Sequence, residues 1–196
     1  MNANVAESKN YLANLLEAAQ RCVFFLHGSE SRIDWPIDAT ELASRNKDID
    51  LFEALSAVNE RFAKLQDTLG SAMRHAALLS GEPDDTFLRV LSFFEKMNVL
   101  TSIDDWQAMR ALRNLAAHEY EIDYSETAEH FNSLKELIPK LYAVAAAFSN
   151  YCHDTLKITA ASEDFAADFN QIVHVVAPPG GTNSTPSAAL QGKRKG

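Results

Sequence analysis

Apolar positions recur at steps of three and four along most of this chain. Leu51, Leu55, Val58, Phe62, Leu65, Leu69 and Ala72 follow the spacing 4-3-4-3-4-3, and Phe131, Leu134, Ile138, Leu141, Ala145, Phe148 and Cys152 follow 3-4-3-4-3-4. Such steps gather side chains into one stripe along an α-helix, the seam on which helices pack nearly antiparallel. Leu137, Val144 and Tyr151 add a second row beside the later stripe, which predicts a wider buried face. Pro139 lies within it and removes one backbone bond, so a kink is expected there. An N-terminal helix over roughly 6–26 carries Tyr11, Leu12, Leu15, Leu16, Ala19 and Val23 on one side. Phe87, Val90, Leu91 and Phe94 predict a short helix. Trp106, Met109, Leu112 and Ala116 predict another over about 103–119.

The ends of these segments are marked by residues that satisfy orphan backbone groups. Gly81 and Pro83 stop the long helix. Asp84 or Asp85 can cap the short one, Ser102 with Asp105 resembles a capping box, and Ser125 can cap the last long helix. Residues 27–50 contain Gly28, Pro36 and many charges, and read as a loop insertion anchored by Ile33 and Trp35, with a short helix at 40–45. Beyond Ile158 the helical signal fades. Phe165, Phe169, Ile172 and Val173 make one amphipathic turn, and Ile172–Ala177 is the one β-leaning run. From Pro178 the composition is Pro, Gly, Ser, Thr and Ala, ending Lys193-Arg194-Lys195, as in a disordered tail. The expected fold is all-α: an up-and-down bundle of four or five helices over 1–157, followed by a mostly disordered segment over 158–196.

Charge narrows the functional classes. The chain has 27 acidic and 18 basic residues among 196, a formal net charge of −9. That balance opposes nucleic-acid binding through the whole surface, so any such contact needs a local basic patch. Cys22 and Cys152 have neither metal-ligand spacing nor the number for a disulfide framework. The apolar run Leu141–Phe148 is far below the roughly 20 residues that span a bilayer, and no basic leader precedes an apolar stretch near Met1. A cytoplasmic protein with no membrane partner and no cofactor is expected.

One run concentrates chemistry: Arg113-Asn114-Leu115-Ala116-Ala117-His118-Glu119-Tyr120. Arginine holds a phosphate in a planar fork, and histidine transfers protons near neutral pH. Arg110 stands one helical turn before Arg113, where it can add a phosphate contact. Arg113 and His118 lie about 140° apart on an ideal helix, so one copy does not aim both at one atom. Two copies meeting at a dimer axis would surround one groove with two of each. RNA cleavage by the ribose 2′-hydroxyl needs a base, an acid and a cation for the phosphorane charge. Paired His118 rings could divide the proton transfers, Arg113 could clamp the phosphate, and Asn114 could orient either. The plain alternative is that Arg113 and His118 form surface ion pairs with Glu119, Glu121 and Asp123. Tyr120 as a half-buried packing residue is equally open.

The segment resembles the HEPN superfamily, and within it the HepT-like toxins of HEPN/nucleotidyltransferase toxin–antitoxin systems, marked by Arg-x4-His-x-Tyr. Here the match is Arg113, His118 and Tyr120, with Trp106-x-x-Met109-Arg110 upstream and Ile122-Asp123 downstream. The resemblance implies a metal-independent endoribonuclease acting as a homodimer, with Arg113 and His118 as the catalytic pair. It also implies a nucleotidyltransferase antitoxin that adenylylates Tyr120. The alternative within the same resemblance is a non-catalytic adaptor or substrate-binding partner of a nucleotidyltransferase, which the acidic net charge favours. The chain departs from the family pattern by its extra length before Asp50 and after Ile158.

Other constellations are weaker. His118-Glu119 has Ile122 where a zinc protease needs histidine. His118, His130 and His153-Asp154 are too loosely spaced for a convincing metal site, so none is expected. Glycines before Gly180 are too dispersed for a phosphate-cradling loop, and no nucleophile-elbow pattern occurs. Arg74, His75 and Arg89 either extend a basic groove or are solvated helix faces.

Overall fold

In the computed structural model, residues 2–83, 85–115 and 123–176 are described. They form seven α-helices in the order α1 (Asn2–Glu30), α2 (Ala39–Ser44), α3 (Ile49–Leu79), α4 (Phe87–Lys96), α5 (Ile103–Leu115), α6 (Tyr124–Tyr151) and α7 (Ala166–Val176), with a π-helical turn at Cys152–Leu156. No strand occurs among the described residues. The all-α expectation holds. The expected four or five helices are α1, α3, α4, α5 and α6; the short segments foreseen near 40–45 and 165–173 are helical too and bring the number to seven.

The stripes are the core. From Leu55 to Ala72 every position of the α3 series is buried, and Leu51 packs at its edge. All seven positions of the α6 series are buried. Tyr142 joins them, 0% exposed, although it lies outside both predicted rows. On α1, Leu12, Leu16, Ala19 and Val23 are buried, but Tyr11 is exposed and sets its ring edge against His75. Burying each large apolar side chain stabilises the fold by about 1.5–3 kcal/mol, so these stripes dominate its energetics.

The termini follow the expected chemistry at some ends and not at others. Gly81 has φ +78°, and the Glu82 N–H bonds back to the Ala77 carbonyl at 2.9 Å. That is a left-handed C-terminal cap, which glycine adopts without Cβ strain. At α5 the Ser102 hydroxyl accepts the Asp105 N–H and donates to Asp105 Oδ2, both at 3.0 Å. Lys140 of α6 holds the other carboxylate oxygen at 2.8 Å, and this contact first, then Ser102, keeps the Asp105 carboxyl below its ordinary range. The cap of α4 is Thr86, while Asp85 pairs with Arg89 at 2.9 and 3.0 Å; Asp84 lies outside the described residues. The cap of α6 is Asp123, which accepts from the N–H groups of Ser125 and Glu126. Ser125 already lies inside α6 and is one of the N–H donors, so Asp123, on the extended backbone just before the helix, is the residue placed to cap it. α6 runs through Pro139 without interruption.

The segment expected as a loop over 27–50 is shorter and better anchored. α1 extends to Glu30, and Ile33 is buried. Asn132 of α6 accepts from the Ile37 N–H and donates to the Ile37 carbonyl, at 2.8 and 2.9 Å. Glu30, 3% exposed, takes Lys135 at 2.6 Å, His27 at 3.1 Å and the Tyr142 hydroxyl at 3.2 Å. A buried carboxylate is tolerable only with such partners. Burial first, then the Glu30 charge, pushes the Tyr142 phenol far above its ordinary range.

The helical unit does not end at 157. Residues 158–165 lead into α7, whose Phe169, Ile172 and Val173 are buried against α1 and α6. The β-leaning stretch from Ile172 belongs to this helix as far as Val176. Its side chains find apolar partners on two helices at helical spacing, and that packing outweighs local strand preference. Residues 177–196, including the expected basic tail end, lie outside the described residues.

A candidate arginine-lined cleft

α3 and α5 cross so that their polar faces form one cleft of about 170 Å³. Its floor is buried: Gln66 and Gly70 of α3, and Trp106 of α5. Gln66 Nε2 donates to the Trp106 carbonyl at 3.1 Å, tying the two helices together. Gly70 packs closely against two rings. A Cβ there would stand 3.3 Å from Phe87 Cζ and 3.7 Å from Trp106 Cζ2. Its absence lets Phe87 lie edge-on to Trp106, with ring centroids 6.2 Å apart.

Three arginines line the cleft: Arg74 from α3, and Arg110 and Arg113 from α5. The arginines of α5 are three residues apart and share a helix face, as their spacing requires. Arg74 lies 4.7 Å above the Phe87 ring. Stacking occupies the face of a guanidinium and leaves its N–H edge for in-plane acceptors. Arg113 donates from Nη1 to the Ala63 carbonyl at 3.1 Å and pairs with Asp67 Oδ1 at 2.6 Å. Both contacts use Nη1; Nε and Nη2 carry none to the described residues. Asp67 is 63% exposed and Arg113 only 16%, so the pair joins a largely buried guanidinium to a solvent-facing carboxylate. Arg74 and Arg110 have no ion pair with a described residue. The cleft is therefore a local positive site on an acidic protein.

Of the residues singled out from the sequence, Arg113 and Arg110 meet in this cleft. Asn114 stands in the last turn of α5, and its side chain is not described. His118 and Tyr120 lie outside the described residues, as do Glu119, Glu121 and Ile122. Of the suspected groove extension, only Arg74 takes part. His75 bonds instead to the Ser8 carbonyl at 2.9 Å, and Arg89 is paired with Asp85. The described residues contain no cluster of three or more His, Cys, Asp or Glu able to hold a metal ion. His153 is exposed and paired with Asp154. No described helix is long and apolar enough to cross a membrane. Both thiols are pushed upward by burial, Cys152 to about 12.

Sequence reasoning missed Gln66 and Asp67. The available signal was the 4-4 spacing of Gln66, Gly70 and Arg74, which puts a polar row on the α3 face beside its apolar stripe. Comparison with family models, with curated proteins and with solved structures gives no match. The HEPN resemblance rests on the motif residues alone.

Proposed function

We propose that the protein is a metal-independent endoribonuclease of the HEPN type. The observation that supports this most is the convergence of Arg74, Arg110 and Arg113 on one cleft along α5, the helix that bears Arg113. Arg113 and His118 are the catalytic pair in this reading. The in-line attack of a ribose 2′-hydroxyl on the adjacent phosphorus breaks the bond to the 5′-oxygen of the next nucleotide. Products are a 2′,3′-cyclic phosphate and a 5′-hydroxyl. Arg113 balances the charge of the phosphorane through its guanidinium, displacing Asp67. Two His118 rings of a homodimer act as base and acid, with Asn114 orienting one of them. Tyr120 is the site at which a nucleotidyltransferase antitoxin would attach AMP, and the protein acts in the cytoplasm.

The purified protein should cleave single-stranded RNA in the presence of a chelator. His118→Ala should reduce the rate by at least about a hundredfold, the scale of general acid–base catalysis, with unchanged helical circular dichroism. Cleavage that survives this substitution refutes the catalytic assignment.

A second reading is favoured by the Arg113–Asp67 pair, which already satisfies part of the guanidinium. In it the protein is a non-catalytic adaptor for a nucleotidyltransferase, and the cleft only binds. Expression of the chain alone separates the two: growth arrest relieved by Arg113→Ala supports the nuclease, and harmless expression supports the adaptor.

A further inference from the structure

A second cavity lies between α1, α3 and α7 and shares no lining residue with the arginine cleft. Its volume is about 440 Å³, above the roughly 300 Å³ at which sites for whole small molecules begin. Phe24, Phe25, Ile172 and Val175 supply its apolar lining. Phe24, Phe25 and Val175 are exposed, Val175 by 75%. Three exposed apolar side chains around one hollow form a patch, unlike the single ones scattered over any protein surface.

Two cations line the same cavity, Arg32 and Arg61. Arg61 is half-buried. Its guanidinium stands 5.6 Å from the centre of the Phe25 ring and donates to the Phe25 carbonyl at 3.1 Å and to the Ser29 hydroxyl. All of these partners are neutral. Neither arginine has an ion pair with a described residue. A partly buried charge loses solvation, and an opposite charge is what best replaces it. Asp168 is the only carboxylate among the described lining residues. His27, also on the wall, is hydrogen-bonded to Glu30, and Lys135 balances that carboxylate. Two guanidinium groups against the Asp168 carboxylate leave an excess of one positive charge.

From the unbalanced arginines and the apolar lining beside them, we infer that this cavity binds a small carboxylate with an apolar body. Arg32 and Arg61 take the carboxylate, and Phe24, Phe25, Ile172 and Val175 cover the body. A carboxylate monoanion cancels the excess charge, whereas a phosphate monoester carries about 1.5–2 negative charges and would overshoot it. The planar guanidinium fork also matches a carboxylate in shape. Gly28 supports the same conclusion. It lies inside α1, where alanine is the better helix former, and it lines the cavity. A Cβ there meets no atom within 4 Å, and its φ is not positive, so neither packing nor backbone angle requires glycine. What glycine leaves is room on the cavity wall.

The test is equilibrium dialysis of the full chain against octanoate, octanamide and acetate, which present head with body, body without charge, and head alone. Octanoate should bind saturably, one per chain, and at least about tenfold more tightly than octanamide, the scale of a hydrogen bond to a charged group. Acetate should not bind measurably. 4-Phenylbutyrate replaces octanoate in a parallel series and distinguishes an aryl from an acyl body. Arg32→Gln, at an exposed side chain without a described partner, should erase the advantage of octanoate and leave octanamide affinity unchanged. Gly28→Leu should keep or raise the urea midpoint of the chain, yet weaken octanoate and octanamide alike by at least about tenfold. Equal affinity for octanoate and octanamide overturns the proposal, as does failure of both carboxylates to bind. Octanoate binding that neither Arg32→Gln nor Gly28→Leu alters puts the ligand elsewhere and overturns it too. So does a dimer that Val175→Glu splits, which would put a second copy of the chain on this face.

Discussion

His130 shows how a single half-buried side chain makes the stability of this fold depend on pH. It lies on α6 with its ring edge-on to Phe131, and neither ring nitrogen has a hydrogen-bond partner among the described residues. Burial holds its pKa below the ordinary histidine value. The fold therefore keeps the ring neutral, while the unfolded chain takes up a proton once pH falls below about 6.5. The contribution of His130 is fully present above that pH and is lost as pH drops toward the lower folded value. Replacing His130 with Leu should flatten the fall in urea midpoint between pH 7.5 and 5.5 relative to the wild-type chain. Parallel midpoint curves for the two proteins would exclude this account. Nothing in the sequence marks His130 for this behaviour: histidine near a helix start reads the same buried or solvated, and only packing decides.

Caps are the clearest chemistry at the scale of the element. The loop before α6 begins that helix with the Asp123 carboxylate accepting two N–H groups, and Thr127 Oγ1 returns a bond to the Asp123 carbonyl at 2.9 Å. Asp123→Ala should cost about 1 kcal/mol in denaturant unfolding, whereas Ser125→Ala should change it by no more than a few tenths. The reverse order would mean that the hydroxyl rather than the carboxylate caps this helix. Cap type was legible for α3 and α5, where Gly81 and the Ser102–Asp105 spacing allow one solution each. It was not legible for α4 and α6, where two or three candidate side chains stand within three residues and the local backbone angle selects among them. Apolar periodicity located α1, α3, α5 and α6 because burial on one face imposes the same step on any packed helix. It gave no warning that Tyr142, off both rows, turns inward to the Glu30 carboxylate contributed by the end of α1.

At the scale of the whole molecule, α7 completes the bundle. Phe169, Ile172 and Val173 cover α1 and α6. A chain ended at residue 157, where the helical pattern fades, should unfold at a lower urea concentration, because the apolar faces of α1 and α6 that α7 covers are then left in water. Comparing urea unfolding of the full and shortened chains measures this, and equal stability would show α7 to be an ornament. The cleft has the same non-local character. Arg110 and Arg113 were paired by their spacing, but Arg74 and Gln66 reach them only because α3 packs beside α5. His75, one residue from Arg74, turns to α1 instead.

The order of apolar and polar residues was enough to determine the helical class, the buried stripes and the shared face of Arg110 and Arg113, because each depends on the 3.6-residue turn of a single helix. Tertiary structure alone decided which polar residues of α3 face those arginines, which end of Gln66 is left without a partner, and that 166–176 belongs to the core. Those outcomes depend on contacts between segments tens of residues apart, such as Asp105 with Lys140 and Arg113 with Ala63. Their geometry is set by how helices cross, which no local spacing encodes.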